Sequence, residues 1–382
     1  MFKRMLNLPL EHQSSLFLFG PRGTGKTSWI KANMPNALYI DLLQFQTYEE
    51  LATNPGRLEN IIAQATTADW IVIDEVQRCP ELLNEVHRLI ELKKYRFLLT
   101  GSSARSLRRQ GVNLLAGRAL RYNMHPLIYQ ELGDAFNLEH ALKFGLLPMT
   151  FEHQSPAQYL ENYVQTYLRE EVAAEGLTRN LITFTRFLEA ASFSQGGLLN
   201  VTEVARDVGI NRLTVANYFS ILEDLLIAIQ VPVFTKRAKR KVVAHAKFYF
   251  FDTGVYRIIR PRRPLDITEE IDGAALETLF LQSLRAVSDY NNLGYEIYFW
   301  RTQAGSEVDF ITYGNNGFQA FEIKRSTKIN NKDLKALKSF GEDYPEAKLY
   351  FLYCGNLKLQ IDNITCLPFE MALKELPQIL AS

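Results

Sequence analysis

The sequence predicts an α/β protein of several units: a parallel-sheet domain first, a helical region with a winged helix next, and a second α/β domain last. Three observations carry this prediction. From residue 16 to about 130, short apolar runs alternate with helix-compatible segments, the pattern of a mostly parallel sheet covered by helices on both faces. A glycine-rich run, Gly20 to Thr27, follows the first apolar run directly. The chain has 382 residues, too many for one ordinary core, so two or three domains are expected.

The expected strands of the first domain are Leu16–Phe19, Ala37–Asp41, Trp70–Asp74, Arg96–Thr100 and Ala119–Met124. Residues near 134–197 read as helical: Ser155-Pro156 suits a cap and first turn, and Tyr159, Tyr163 and Tyr167 recur on one packed face. Thr202 to Gly209 reads as a capped helix stopped by glycine, and Asn211 opens a second helix carrying Leu213, Val215, Phe219, Leu222 and Leu226. Helix, glycine turn, helix is the helix-turn-helix arrangement. Two strand-like runs, Ile227–Phe234 and Lys247–Phe251, follow with a basic stretch between them, which makes a winged helix with a basic wing. Beyond residue 272 a helix from Gly273 to Ser288 leads to strands Glu296–Arg301, Val308–Thr312 and Ala320–Lys324, a helix near Lys332–Phe340 and a strand Lys348–Tyr353. The expected divisions are 1–133, 134–197, 198–264 and 265–382.

Composition narrows the class. Hydrophobic content of 47%, charged content of 22% and a net charge of +1 describe a soluble globular chain. Cys79, Cys354 and Cys366 are scattered and odd in number, giving neither a disulfide framework nor a zinc pattern, so a reducing cytoplasm is expected. Met1-Phe2-Lys3-Arg4 precedes no signal-like apolar core, and no run approaches membrane-spanning length, so no membrane role is expected.

Gly20-Pro21-Arg22-Gly23-Thr24-Gly25-Lys26-Thr27 fits G-x-x-x-x-G-K-[ST] between a strand and a helix, the context of a phosphate-binding loop. Its glycines let backbone N–H groups point inward at anionic oxygens, and the helix N-terminus adds partial positive charge. Lys26 reaches the β- and γ-phosphates of ATP, and the Thr27 hydroxyl ligates Mg²⁺. The apolar run Trp70 to Ile73 ends in Asp74-Glu75; Asp74 is placed to hold Mg²⁺, and Glu75 to orient or deprotonate the attacking water. After the next strand comes Gly101-Ser102-Ser103, where Thr100 and Ser102 either sense the γ-phosphate and water or form a plain turn. Five arginines and no acid lie between Arg105 and Arg121. Arg118 is the arginine-finger candidate, the alternative being a solvated arginine face.

Between Leu225 and Arg263 stand ten Lys and Arg against one acid, Asp252. Beside a helix-turn-helix this reads as DNA phosphate contact by Lys236, Arg237, Lys239, Arg240 and Lys241, with Asn211, Arg212, Thr214 and Asn217 at the head of the second helix. The alternative is a protein-binding winged helix with an incidental basic hairpin. Glu322 and Lys324 share one strand face, Asp309 lies on the preceding strand, and Glu277 can come from the helix before. Carboxylates converging this way can bind one or two Mg²⁺, with Lys324 lowering a water's pKa; otherwise they form a charged strand edge.

Gly20–Thr27, Ile71–Glu75 with Val76-Gln77-Arg78, Leu98–Ser103, Leu115–Arg118 and Glu307–Lys324, in that order, resemble a prokaryotic AAA+-like ATPase family. The resemblance spans nearly the whole chain. It implies a P-loop ATPase, a winged helix and a restriction-endonuclease-like (PD-(D/E)xK) C-terminal fold. It also implies a homo-oligomer, expected to be a ring, in which a neighbour's arginine completes each site. One position departs: the nuclease pattern has proline before its first strand aspartate, and here Val308 stands there. The leading functional reading is an ATP-hydrolysing, DNA-binding protein that translocates on or remodels duplex or branched DNA. Its rivals are an ATP-gated metal-dependent nuclease and an ATP-controlled protein-binding switch.

Overall fold

The computed structural model describes residues 2–65, 68–103, 118–168, 172, 181–236, 245–261 and 268–381. The chain divides into two compact units, one formed by residues 6–125 with 224–227, the other by residues 1–5, 126–223 and 228–382.

In the first of these, the strands are β1 (Ser15–Phe19), β2 (Leu38–Asp41), β3 (Ile71–Asp74), β4 (Phe97–Gly101) and β5 (Ala119–Asn123). All pair in parallel, in the order β2-β3-β4-β1-β5. Every residue of β1, β3 and β4 is buried, as continuous apolar runs in a parallel sheet require. Helices α1 (Lys26–Asn33), α2 (Phe45–Thr53), α3 (Arg57–Gln64) and α4 (Leu82–Lys93) connect them. Leu82, Val86 and Leu89 follow helical spacing along α4 and are fully buried among Phe17, Ile71, Ile73, Phe97 and Leu99. Each such side chain contributes about 1.5–3 kcal/mol of burial. The helix stops where Lys94 adopts left-handed φ of 57°.

The parallel register decides where chemistry can occur. Phe19 lies opposite Gly101, and Ile73 opposite Leu99, so β1, β3 and β4 end together at one edge. The loops leaving that edge carry Gly20, Asp74-Glu75 and Ser102. Gly20 has to be glycine: a Cβ there would lie 2.3 Å from the Met124 carbonyl oxygen.

The second unit joins helices to a mixed sheet. Its helices include α5 (Pro156–Asn162), which runs into a π-helical segment at Tyr163–Leu168, and α6 (Leu181–Ser192). Tyr163 and Tyr167 are buried with ring centroids 5.0 Å apart, the packed face their spacing suggested. Next come α7 (Val201–Val208) and α8 (Arg212–Asp224), joined through Gly209 at φ 76°. The cap of α7 is Asn200, which accepts the Glu203 N–H at 3.2 Å, so the helix begins before the expected Thr202. Strands β6 (Ala228–Val231) and β7 (Lys247–Phe250) form an antiparallel ribbon.

Helices α9 (Thr253–Ile259) and α10 (Thr268–Tyr290) follow, the latter beginning before the expected Gly273. Strands β8 (Glu296–Arg301), β9 (Glu307–Gly314), β10 (Gly317–Lys324), β11 (Lys348–Tyr353), β12 (Leu359–Ile361) and β13 (Ile364–Pro368) make a sheet in the order β12-β13-β11-β10-β9-β8. β8, β9 and β10 pair antiparallel, whereas β10, β11 and β13 run parallel. Phe280 of α10 packs on Phe310 and Phe321 from one face. On the other face α11 (Lys335–Asp343) sets Phe340 against Trp300 at 5.4 Å. The terminal α12 (Phe369–Leu380) reaches Phe280 through Phe369. Phe234, just past β6, is buried among Tyr298, Tyr313, Phe318, Phe340 and Tyr344, which ties the ribbon to this sheet.

Candidate functional site

At the strand edge of the parallel unit, the glycine run turns from β1 into α1. Gly25, at φ 95°, takes the left-handed conformation at the head of α1. The buried Lys26 ammonium donates to the Gly20 carbonyl at 2.6 Å and the Pro21 carbonyl at 3.3 Å. Thr24 donates to Pro21 O at 2.8 Å, and Arg22 is exposed. Lys26 is thus folded back on its own loop, held where a phosphate could draw it away.

Asp74 collects three hydroxyls. Thr27 donates to its Oδ2 at 2.9 Å, Tyr39 donates to the same oxygen, and Thr100 donates to Oδ1. Burial and the Asp74 carboxylate both push the Tyr39 phenol upward, so it remains a donor. Glu75 has left-handed backbone at φ 61°, and its N–H donates to Thr100 Oγ1 at 3.2 Å. Such a conformation in a non-glycine residue persists only where its surroundings impose it. The Glu75 carboxylate accepts from Ser102 Oγ at 3.1 Å and from the Gln77 amide, which also donates to Ser102 at 2.9 Å. Thr100 and Ser102 are therefore connected to the acid pair rather than forming a bare turn. Tyr39 and Gln77 are the participants that pattern reading did not assign.

Arg118 lies elsewhere. Ala119 pairs with Ser15 at the opening of β1, so Arg118 sits at the opposite edge of the sheet from Gly20, ion-paired to Glu91. This removes it from the phosphate loop of its own subunit. Arg105, Arg108 and Arg109 fall outside the described residues.

On the other unit, Asn211 caps α8, accepting from Thr214 N at 2.8 Å and Thr214 Oγ1 at 3.0 Å. Arg212 and Asn217 are exposed, and so is Leu213, which the helical pattern had placed with the packed residues. Lys236 is ion-paired to Glu296 at 2.7 Å and lies 4.2 Å from the centroid of the Tyr313 ring. Arg237, Lys239, Arg240 and Lys241 fall outside the described residues.

The C-terminal carboxylates do converge, but around a lysine. Lys247 opens β7 and is fully buried, with Nζ 2.5 Å from Glu307, 3.3 Å from Asp309 and 3.7 Å from Glu277. Burial alone would lower its pKa; the fields of Tyr249, Glu277, Asp309 and Glu307 outweigh that and hold it well above the ordinary lysine value. Tyr249 donates to Glu277 at 2.7 Å, and Asp309 accepts the Ile323 N–H at 2.9 Å. Burial, then the Asp309 charge, pushes Glu277 up to about 7 and raises Glu322 well above the usual carboxylate range. Lys324 pairs with Glu322 at 2.5 Å. Among the described residues, no group of three or more His, Cys, Asp or Glu is arranged to hold a metal ion. The expected metal set Glu277, Asp309 and Glu322 already faces an ammonium. Lys247 was legible only as a cation in an otherwise apolar strand, a residue type rarely buried without partners.

A parallel sheet with a phosphate loop after its first strand and an acid pair after the third defines an AAA-like P-loop domain. Comparison with known proteins agrees over the same residues: 12–133 match the family described as AAA domain. Residues 135–266 and 272–372 match two further families, DUF8612 and DUF4143, each described as a domain of unknown function. The chain is 27% identical over 381 residues to the uncharacterized protein Rv2008c of Mycobacterium tuberculosis, covering 96% of this chain and 83% of that protein. An uncharacterized protein of Haemophilus influenzae is 19% identical over 316 residues, covering 76% of each. Among solved structures, the Aeropyrum pernix ORC1 protein in complex with DNA aligns with a TM-score of 0.28 and 14% identity, covering 64% of this chain and 86% of that one.

Proposed function

We propose that this protein hydrolyses ATP and uses the turnover, as a homo-oligomer in the cytoplasm, to move along or remodel duplex or branched DNA. The observation that carries the reading is the hydroxyl-bridged acid pair beside the phosphate loop, in which Thr27 and Thr100 both meet Asp74 and Thr100 also holds Glu75. The loop N–H groups cradle the phosphates, and Lys26 leaves the Gly20 and Pro21 carbonyls to meet the β- and γ-oxygens. Thr27 and Asp74 are hard oxygen donors, suited to Mg²⁺, which would offset phosphate charge when bound. Glu75, aimed by Ser102 and Gln77, takes the proton of a water. The water oxygen then bonds to the γ-phosphorus, and the bond to the bridging oxygen breaks with its electron pair leaving on ADP. Arg118, remote from its own loop, would serve a neighbour's nucleotide in the oligomer.

The DNA half of the reading is supported by the α7–α8 helix pair with its glycine turn and the ribbon that follows, which we read as a winged helix, and by the exposed Arg212 and Asn217. The C-terminal mixed sheet, which we read as nuclease-like, would then be a second holding surface. No helix among the described residues is long and apolar enough to cross a membrane. The test is duplex binding across a salt series. Replacing Lys236, Arg237, Lys239, Arg240 and Lys241 by glutamine should weaken binding to all sequences. It should also flatten the log–log salt slope by about one unit for each phosphate no longer neutralised. Unchanged affinity and slope would favour a protein-binding switch.

A further inference from the structure

We propose that Lys247 is the resident cation of the C-terminal carboxylate cluster, occupying with its ammonium the position a divalent metal would need, so that this domain does not carry out metal-dependent cleavage. Each acid expected to ligate a metal is already committed. Asp309 gives Oδ1 to Lys247 at 3.3 Å and Oδ2 to the Ile323 N–H at 2.9 Å. Glu277 gives Oε2 to the Tyr249 hydroxyl at 2.7 Å, with Lys247 at 3.7 Å. Glu322 gives Oε1 to Lys324 at 2.5 Å, and its Oε2 is buried without a hydrogen-bond partner. A fourth acid, Glu307, holds Lys247 at 2.5 Å and Arg301 at 2.9 Å.

Three cations, Lys247, Lys324 and Arg301, therefore face four carboxylates inside one cluster. A dication entering it would meet the Lys247 ammonium at close range, and its desolvation would be offset by little surplus negative charge. Lys247 cannot withdraw easily. Its side chain is 2% exposed, and its backbone belongs to β7, paired with Val231. The single orphan oxygen of Glu322 is one ligand, where Mg²⁺ or Mn²⁺ requires several.

The reading is tested on the full-length protein without nucleotide, titrated with Mn²⁺ while free Mn²⁺ is followed by paramagnetic resonance and the melting temperature is recorded. Wild type, Lys247→Met, Asp309→Asn and the double variant are compared. Wild type should show no Asp309-dependent Mn²⁺ binding. Lys247→Met should melt lower in the absence of metal, gain Asp309-dependent Mn²⁺ affinity of about tenfold or more, and recover melting temperature as Mn²⁺ binds. A folded Lys247→Met with no such gain would overturn the proposal. If Lys247→Met does not fold, Lys247→Gln and the wild-type arm decide. Mn²⁺ binding by wild type that Asp309→Asn abolishes, or DNA cutting with the same dependence, also overturns it.

Discussion

Thr100 accepts the backbone N–H of Glu75 at 3.2 Å, fixing a glutamate whose φ of 61° no ordinary turn would select. The same hydroxyl donates to Asp74, so one side chain on β4 holds both members of the acid pair. Both bonds run between strands that end side by side only because the sheet is parallel.

Thr100→Val tests this coupling while keeping the side-chain shape. The loss of hydrogen bonds to a charged acid and to a strained backbone, at about 1.5–3 kcal/mol, should lower kcat by roughly 10- to 100-fold. Nucleotide affinity should change much less, because Thr100 is not part of the phosphate loop. Steady-state kinetics beside a nucleotide titration separates the two effects. An affinity loss equal to the loss in kcat would show that Thr100 merely supports the fold of the loop.

Arg118 makes a second prediction. It sits at the opposite sheet edge from Gly20, so the proposed finger role would have to be played in a neighbour's site. An inactive Arg118→Ala protein mixed with an inactive Lys26→Ala protein should regain ATPase activity, since mixed interfaces pair an intact arginine with an intact loop. Absence of recovery in assemblies shown to have exchanged subunits would leave Arg118 as the structural partner of Glu91.

The expected strands of the parallel sheet match those observed to within a residue at each end; β1, β3 and β4 are buried, almost wholly apolar runs that need no partner to be recognised, whereas β2 and β5 are only partly buried. The end of the chain was less legible. β12 is three largely exposed residues, β13 ends on Pro368, and α12 contains Pro377, each of which blurs the periodic pattern. Asn200 and Thr202 both suit a helix cap, and local pattern does not choose between them. The Gly20 to Thr27 pattern was readable because a loop motif is contiguous, and Asp74-Glu75 because the pair ends an apolar run. Tyr39 and Lys247 were not, since each meets its acid from a strand distant in sequence. Asp252, legible only as the lone acid in a basic stretch, is in fact a buried cap.

That residue carries the third prediction. Asp252 accepts N–H bonds from Leu146 at 2.9 Å, Gly254 at 2.9 Å and Val255 at 3.1 Å, yet full burial pushes its pKa up to about 6. The ordinary value in an unfolded chain is about 3.9. The folded form therefore binds more protons between those values. The stability this group supplies is complete below about pH 4 and is lost as pH rises through about 6. The stability of wild type minus that of Asp252→Asn should fall by about 2 kcal/mol between pH 4 and 6.5 in urea unfolding. A flat or rising difference would mean that the three N–H bonds outweigh burial.

The central claim is that the loop and acid pair turn over ATP. The most direct measurement follows ATP binding and ATP hydrolysis, with Mg²⁺ present, for wild type, Lys26→Ala and Glu75→Gln. Wild type should bind and hydrolyse. Lys26→Ala should lose affinity, because Lys26 meets the phosphates. Glu75→Gln should keep its affinity and lose turnover, because only water activation is removed. Normal steady-state hydrolysis by Glu75→Gln, or no ATP binding by wild type, would contradict the account.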